Sequence, residues 1–157
     1  MTRRQAIQNI VLTSAGIVLI PACQPTEMGP VYVNVPLEPG QRGFIDLMTN
    51  AILPKAETEI QTPESTTDFI LTMLNDCASP IDVKNYILGI KEFQQGIKEQ
   101  YNSTFKDLST EKQIEIFTQL GESSKMTAAA KHFFNTTKGM SQWHFTTSEY
   151  FMKNKRD

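Results

Sequence analysis

The chain has 157 residues, 39% hydrophobic and 20% charged, with a formal net charge of −2 at pH 7. That length suits one small domain with a real core, and without a concentrated cationic face nucleic acid is excluded as a partner, because phosphate binding needs one. Two cysteines, Cys23 and Cys77, exclude a disulfide-stapled framework.

The first stretch, Met1 to Cys23, reads as an export signal. Arg3 and Arg4 give a charged start, Ile10 to Ile20 an uncharged apolar run too short to span a bilayer as an anchor, and Pro21-Ala22-Cys23 a cleavage region. Thr2-Arg3-Arg4-Gln5-Ala6-Ile7 resembles the twin-arginine export motif, whose cargo travels folded. The basic region of an ordinary secretory signal is the plainer alternative. Ile20-Pro21-Ala22-Cys23 resembles a bacterial lipoprotein cleavage box, although Pro21 departs from the usual small residue. Cys23 is therefore a candidate for lipidation, against simple cleavage after Ala22 or no cleavage. Without Arg3 and Arg4 the net charge becomes −4. Cys77 is then an odd thiol, expected to be a buried small hydrophobe, with an intermolecular bridge as the alternative.

Residues 24–43 are rich in proline and lack helical periodicity, so they read as an extended arm leading into a helical domain over 44–157. In that domain Phe44, Leu47, Met48, Ala51 and Ile52 share one helical face, and Pro54 ends the run. Phe69, Ile70, Met73, Leu74 and Cys77 repeat the pattern for a second helix. Ser79 is a natural cap for a third, with Pro80 at its first position and Asp82 in its first turn. Ile87, Ile90, Phe93, Ile97 and Tyr101 form its apolar stripe; Gly89 and Gly96 each weaken it by about 1 kcal/mol unless close packing explains them. Thr110 to Gln113 fits a capping box, and Ile114, Phe117 and Leu120 supply a fourth apolar face that Gly121 stops. The last segment is helical through Ala128 to Phe134 and is expected to break near Gly139. An all-α domain of about five helices follows.

No catalytic constellation stands out. His132 and His144 lack metal-ligand spacing and read as partly exposed or hydrogen-bonded histidines. Asp68, Asp76 and Asp82 read as caps and solvated charges. No glycine-rich phosphate cradle follows a strand, so no catalytic, cofactor-binding or metal site is assigned to this chain. The most aromatic stretch is the last: Trp143, Phe145, Tyr150 and Phe151, with Phe133 and Phe134 shortly before. Aromatic side chains are enriched at binding hot spots, so Trp143, Phe145, Tyr150 and Phe151 are candidate partner-interface residues. Closing the core is the competing role, above all for Phe133 and Trp143.

Several pieces in order resemble the gluconate 2-dehydrogenase subunit 3 family. They are the twin-arginine start with Pro21-Ala22-Cys23, Ala51-Ile52-Leu53-Pro54, Asp76-Cys77-Ala78-Ser79-Pro80, Phe105-Lys106-Asp107-Leu108-Ser109, and Phe145 to Met152. The resemblance implies a non-catalytic helical subunit beside a large FAD-containing dehydrogenase subunit of the glucose-methanol-choline type. It implies that the small chain carries the export signal to the twin-arginine translocase for both, that FAD stays in the partner, and that electrons pass to a cytochrome c or the respiratory chain. Substrates in the family are sugars and sugar acids, and the location implied is periplasmic, with a membrane anchor if Cys23 is lipidated. Members continue past the Phe-Thr-Thr-Ser-Glu stretch into a proline- and glycine-containing tail; this sequence has Lys153-Asn154-Lys155-Arg156-Asp157 there. A stand-alone exported lipoprotein with a structural or ligand-binding role is the alternative.

Overall fold

A computed structural model describes residues 30–53, 62, 64–120 and 126–154. The chain divides into two compact units, Met1–Val31 and Tyr32–Asp157, and every helix named here belongs to the second. Arg3, Arg4 and Cys23 lie outside the described residues, as do Pro54 and Gly121.

Local sequence starts most of the helices. Tyr32–Glu38 carries a turn and is pinned by side chains: Asn34 bonds Asn75 twice, at 2.9 and 2.8 Å, and Val35 enters the core. The first helix, α1, is Gln41–Ile52, and it follows Gly40, whose φ of 86° is a left-handed conformation that favours glycine. In α2, Thr66–Cys77, the hydroxyl of Ser65 accepts from the Asp68 N–H at 3.1 Å. In α3, Pro80–Tyr101, Ser79 accepts from the Asp82 N–H at 3.3 Å, with Pro80 in the first turn where its missing N–H is not needed. A short 3-10 turn, Phe105–Asp107, leads to α4, Thr110–Leu120. Thr127 caps α5, Ala128–Thr146, by accepting from the Ala130 N–H at 3.1 Å, and α6 is Glu149–Asn154. The described residues thus hold six α-helices and no strand, an all-α domain.

The core is built on α3 against α5. Gly89 lies so close to α5 that a Cβ there would sit 2.2 Å from the Ala129 carbonyl oxygen, so close packing accounts for this glycine. Three positions down the pair, the buried Tyr86 hydroxyl shares a hydrogen bond with Thr137 at 2.9 Å. Gly96 meets Met126, so α3 and α5 run antiparallel. Around this seam the rings interlock: Phe93 lies 5.6 Å from Phe133, Phe133 5.9 Å from Phe44, and Phe117 5.3 Å from Phe134. Edge-to-face and offset ring pairs of this kind add about 0.5–1.5 kcal/mol each beyond the area they bury.

Four expectations are corrected. The fifth helix runs through Gly139 without a break, because Thr137, Ser141 and His144 are buried on either side and their packing outweighs a glycine cost of about 1 kcal/mol. The cap of α4 is Ser109, not Thr110: the Ser109 hydroxyl faces the Lys112 N–H at 3.4 Å, while the Gln113 amide donates to the carbonyls of Phe105 and Leu108. Ile114 is 54% exposed, and Ile116 is buried in its place; the two stand on opposite sides of a helix, and the 3-10 turn selects which faces inward. Cys77 is exposed in the last turn of α2, so it is not a core residue.

Candidate partner interface

The C-terminal half of α5 passes over the start of α2, where Phe69 meets two rings of α5. His144 stacks on Phe69, with ring centroids 4.6 Å apart and planes at 17°, and Trp143 meets it edge-on at 5.4 Å and 77°. His144 is 2% exposed. Its Nδ1 lies 3.1 Å from the Thr66 hydroxyl, and its Nε2 lies 3.6 Å from a Glu64 carboxylate oxygen. Burial pushes the imidazole pKa down from its ordinary value, with the Glu64 carboxylate pulling the other way. The histidine is thus a buried strut that fixes α5 to the first turn of α2.

Trp143 faces outward instead, 48% exposed. One turn before it, Gly139 offers bare backbone with nothing within 4 Å of where a Cβ would stand. The pair presents a flat indole beside an open helix face, a shape into which a partner can press closely.

Beyond Trp143 the chain turns sharply. The Thr147 hydroxyl donates to the Trp143 carbonyl at 2.8 Å; buried Ser148 donates to the Phe145 carbonyl at 2.6 Å and accepts from the Phe151 N–H at 3.3 Å. This ties α6 back onto α5 and brings Phe145 against Phe151, 5.3 Å apart at 66°. Phe145, Tyr150 and Phe151 are half-buried. Of the aromatic residues singled out in the sequence, Phe133 and Phe134 are core, whereas Trp143, Phe145, Tyr150 and Phe151 share the end formed by α5 and α6. Phe69 and His144 belong to the same site, and sequence reasoning gave them other roles.

The three aspartates singled out in the sequence are engaged by neighbouring side chains. Asp68 gathers Ser65, Tyr32 and Arg42, at 2.8, 2.8 and 2.5 Å. Burial alone would raise its pKa, but these three donors together hold the carboxyl below the usual carboxylate range. Asp82 bonds Ser79 at 2.6 Å, and Asp76 accepts from Asn75 at 2.6 Å. Among the described residues no three His, Cys, Asp or Glu side chains gather as a metal site would require, and no helix is long and apolar enough to cross a membrane.

The model of the gluconate 2-dehydrogenase subunit 3 family matches residues 39–157, which takes in every helix among the described residues and the whole aromatic end. No curated protein and no solved structure matches the chain.

Proposed function

Since the chain belongs to the gluconate 2-dehydrogenase subunit 3 family, and is thereby an accessory subunit of a dehydrogenase complex, we propose that it is the non-catalytic small subunit of a periplasmic FAD-dependent sugar or sugar-acid dehydrogenase, of the gluconate, glucose or glucoside 3-dehydrogenase kind. The family match across residues 39–157 is the observation that carries this reading. FAD and substrate sit in the large subunit, and electrons leave that subunit for a cytochrome c. The small chain contributes Arg3 and Arg4, which address both proteins to the twin-arginine translocase, and so supports maturation of a flavoprotein that crosses the membrane folded. Lipid on Cys23 anchors the pair at the membrane. Trp143, Phe145, Tyr150 and Phe151 dock the large subunit, because exposed or half-buried aromatic side chains gathered at one end offer the anchors that interfaces use.

The test is Arg3→Lys combined with Arg4→Lys in cells that make both subunits, followed by fractionation. The expected result is a flavoprotein retained in the cytoplasm. A flavoprotein exported with its FAD despite both substitutions contradicts the carrier role. Recovery of the mature chain with lipid on Cys23 and no flavoprotein attached favours the stand-alone lipoprotein instead.

A further inference from the structure

A second surface shares no residue with the Trp143 patch. A groove of about 770 Å3 lies between α1 and α3 and reaches the 3-10 turn. Its floor is apolar, made by Phe44 and Phe105 with ring centroids 6.2 Å apart and by half-buried Leu47. Its rim is cationic. Lys91 is held by Glu38 at 2.6 Å, while Lys98 and Lys106 are exposed and form no ion pair among the described residues. Asp46 also lines the groove, but its carboxylate is occupied by Thr67 at 3.2 Å and Asn50 at 3.1 Å. With Lys91 offset by Glu38, Lys98 and Lys106 against Asp46 leave this surface locally positive on a chain of net charge −2.

Gly43, in the wall, adds an independent observation. Glycine is a poor helix residue, and at Gly89 the packing of the chain itself demands it. At Gly43 a Cβ would meet nothing within 4 Å, so nothing among the described residues requires the bare backbone. The first turn of α1 also has no side-chain cap; the Gln41 N–H donates to the Glu38 carbonyl at 3.1 Å, so the amides of Arg42 and Gly43 are the ones left to an outside acceptor. Each helical wall runs about two turns, roughly 10 Å, which matches about three residues of extended chain. Gln94 places a side-chain amide, which both donates and accepts, along the α3 wall.

We propose that this groove binds an extended acidic segment of the large dehydrogenase subunit, with carboxylates on Lys98 and Lys106 and an apolar side chain over Leu47; this rests on the accessory-subunit reading above. The occupant is acidic because Lys98 and Lys106 are not neutralised from within, and it is a peptide because the Gln94 amide can pair with a backbone that a hydrocarbon chain lacks. Binding at two separate faces would let a small chain grip a much larger one firmly.

The experiment measures the Kd of the full chain for its dehydrogenase subunit in four forms: wild type, Gly43→Trp, Lys98→Glu with Lys106→Glu, and Trp143→Ala. Gly43→Trp fills the groove, and the charge reversal needs no space, so each checks the other. Both are expected to weaken the complex by tenfold or more, with the free subunit melting as wild type does because all three positions are exposed. The charge-reversed form should also lose much of the salt dependence of binding. Wild-type affinity in both groove variants, with loss in Trp143→Ala, overturns the groove and leaves the accessory-subunit reading standing. A wild-type chain that binds no dehydrogenase subunit overturns both. Weaker binding of the charge-reversed form to phosphatidylglycerol vesicles, with the complex intact, assigns the groove to a lipid surface and overturns the peptide.

Discussion

The two halves of α5 carry similar side chains to opposite fates. Over residues 128–137 the helix faces α3, and Phe133 and Phe134 are buried among Phe93, Phe44 and Phe117. Over residues 139–146 it faces the start of α2, where polar Thr66 and Glu64 engage His144, and the indole of Trp143 is left half in solvent. Aromatic content therefore does not mark an interface by itself. What stands opposite decides: a bare glycine on α3 lets the first half close up, and a polar first turn on α2 leaves the second half with apolar surface to spare.

The sharpest way to break the buried half is at Gly89. Gly89→Val forces atoms into the space of the Ala129 carbonyl and the Phe133 Cβ, which are 2.2 and 2.7 Å from the Cβ position. Backbone cannot yield as a flexible side-chain end can, so the loss should be on the order of 3 kcal/mol, read as a lower urea midpoint. Tyr86→Phe comes next. It keeps the ring and strands the Thr137 hydroxyl in the core, a cost of about 1–2 kcal/mol by the same measurement. An unchanged midpoint would mean that Thr137 finds another hydrogen-bond partner and that this seam is not specified by its polar pair.

The exposed half responds to pH instead. His144 has a depressed pKa, so the stability of its neutral form is fully present above the ordinary value near 6.5 and is lost as pH falls through the lower folded-state value. Wild-type stability should therefore decline as pH falls below about 6.5, and His144→Gln should remove that part of the slope. A wild-type profile as flat as that of the variant would show that the imidazole is solvated. Trp143→Ala is the smallest effect on stability, about 1 kcal/mol or less, since it removes a half-exposed ring and one edge contact with Phe69.

How much of this the sequence reveals depends on the range of the interaction. The start of α3 is legible because Ser79, Pro80 and Asp82 act within one turn, and the apolar stripes of α1 and α2 are legible because burial there follows the helical period. Ile114 and Ile116 are equally apolar on opposite faces of α4, and which side is inside follows from tertiary contacts such as those of Phe117 with Phe105 and Phe134, 5.5 and 5.3 Å apart. Gly139 misleads for a related reason: its local cost is real, but the buried residues around it are held by distant partners. The aromatic end is visible as composition, yet the Phe69 to His144 stack needs the meeting of two helices more than seventy positions apart, as the His144 to Thr66 contact shows. No local pattern encodes that meeting, so the residues that aim Trp143 outward were not legible even though Trp143 was.

The most direct test of the docking role is the affinity of Trp143→Ala for the large dehydrogenase subunit, measured beside its melting curve. The expected result is a loss of about thirtyfold or more, the size of a hot-spot anchor worth about 2 kcal/mol, with melting shifted by only a few degrees. Wild-type affinity in the variant, or a collapsed melting transition that puts the indole in the core, would contradict it.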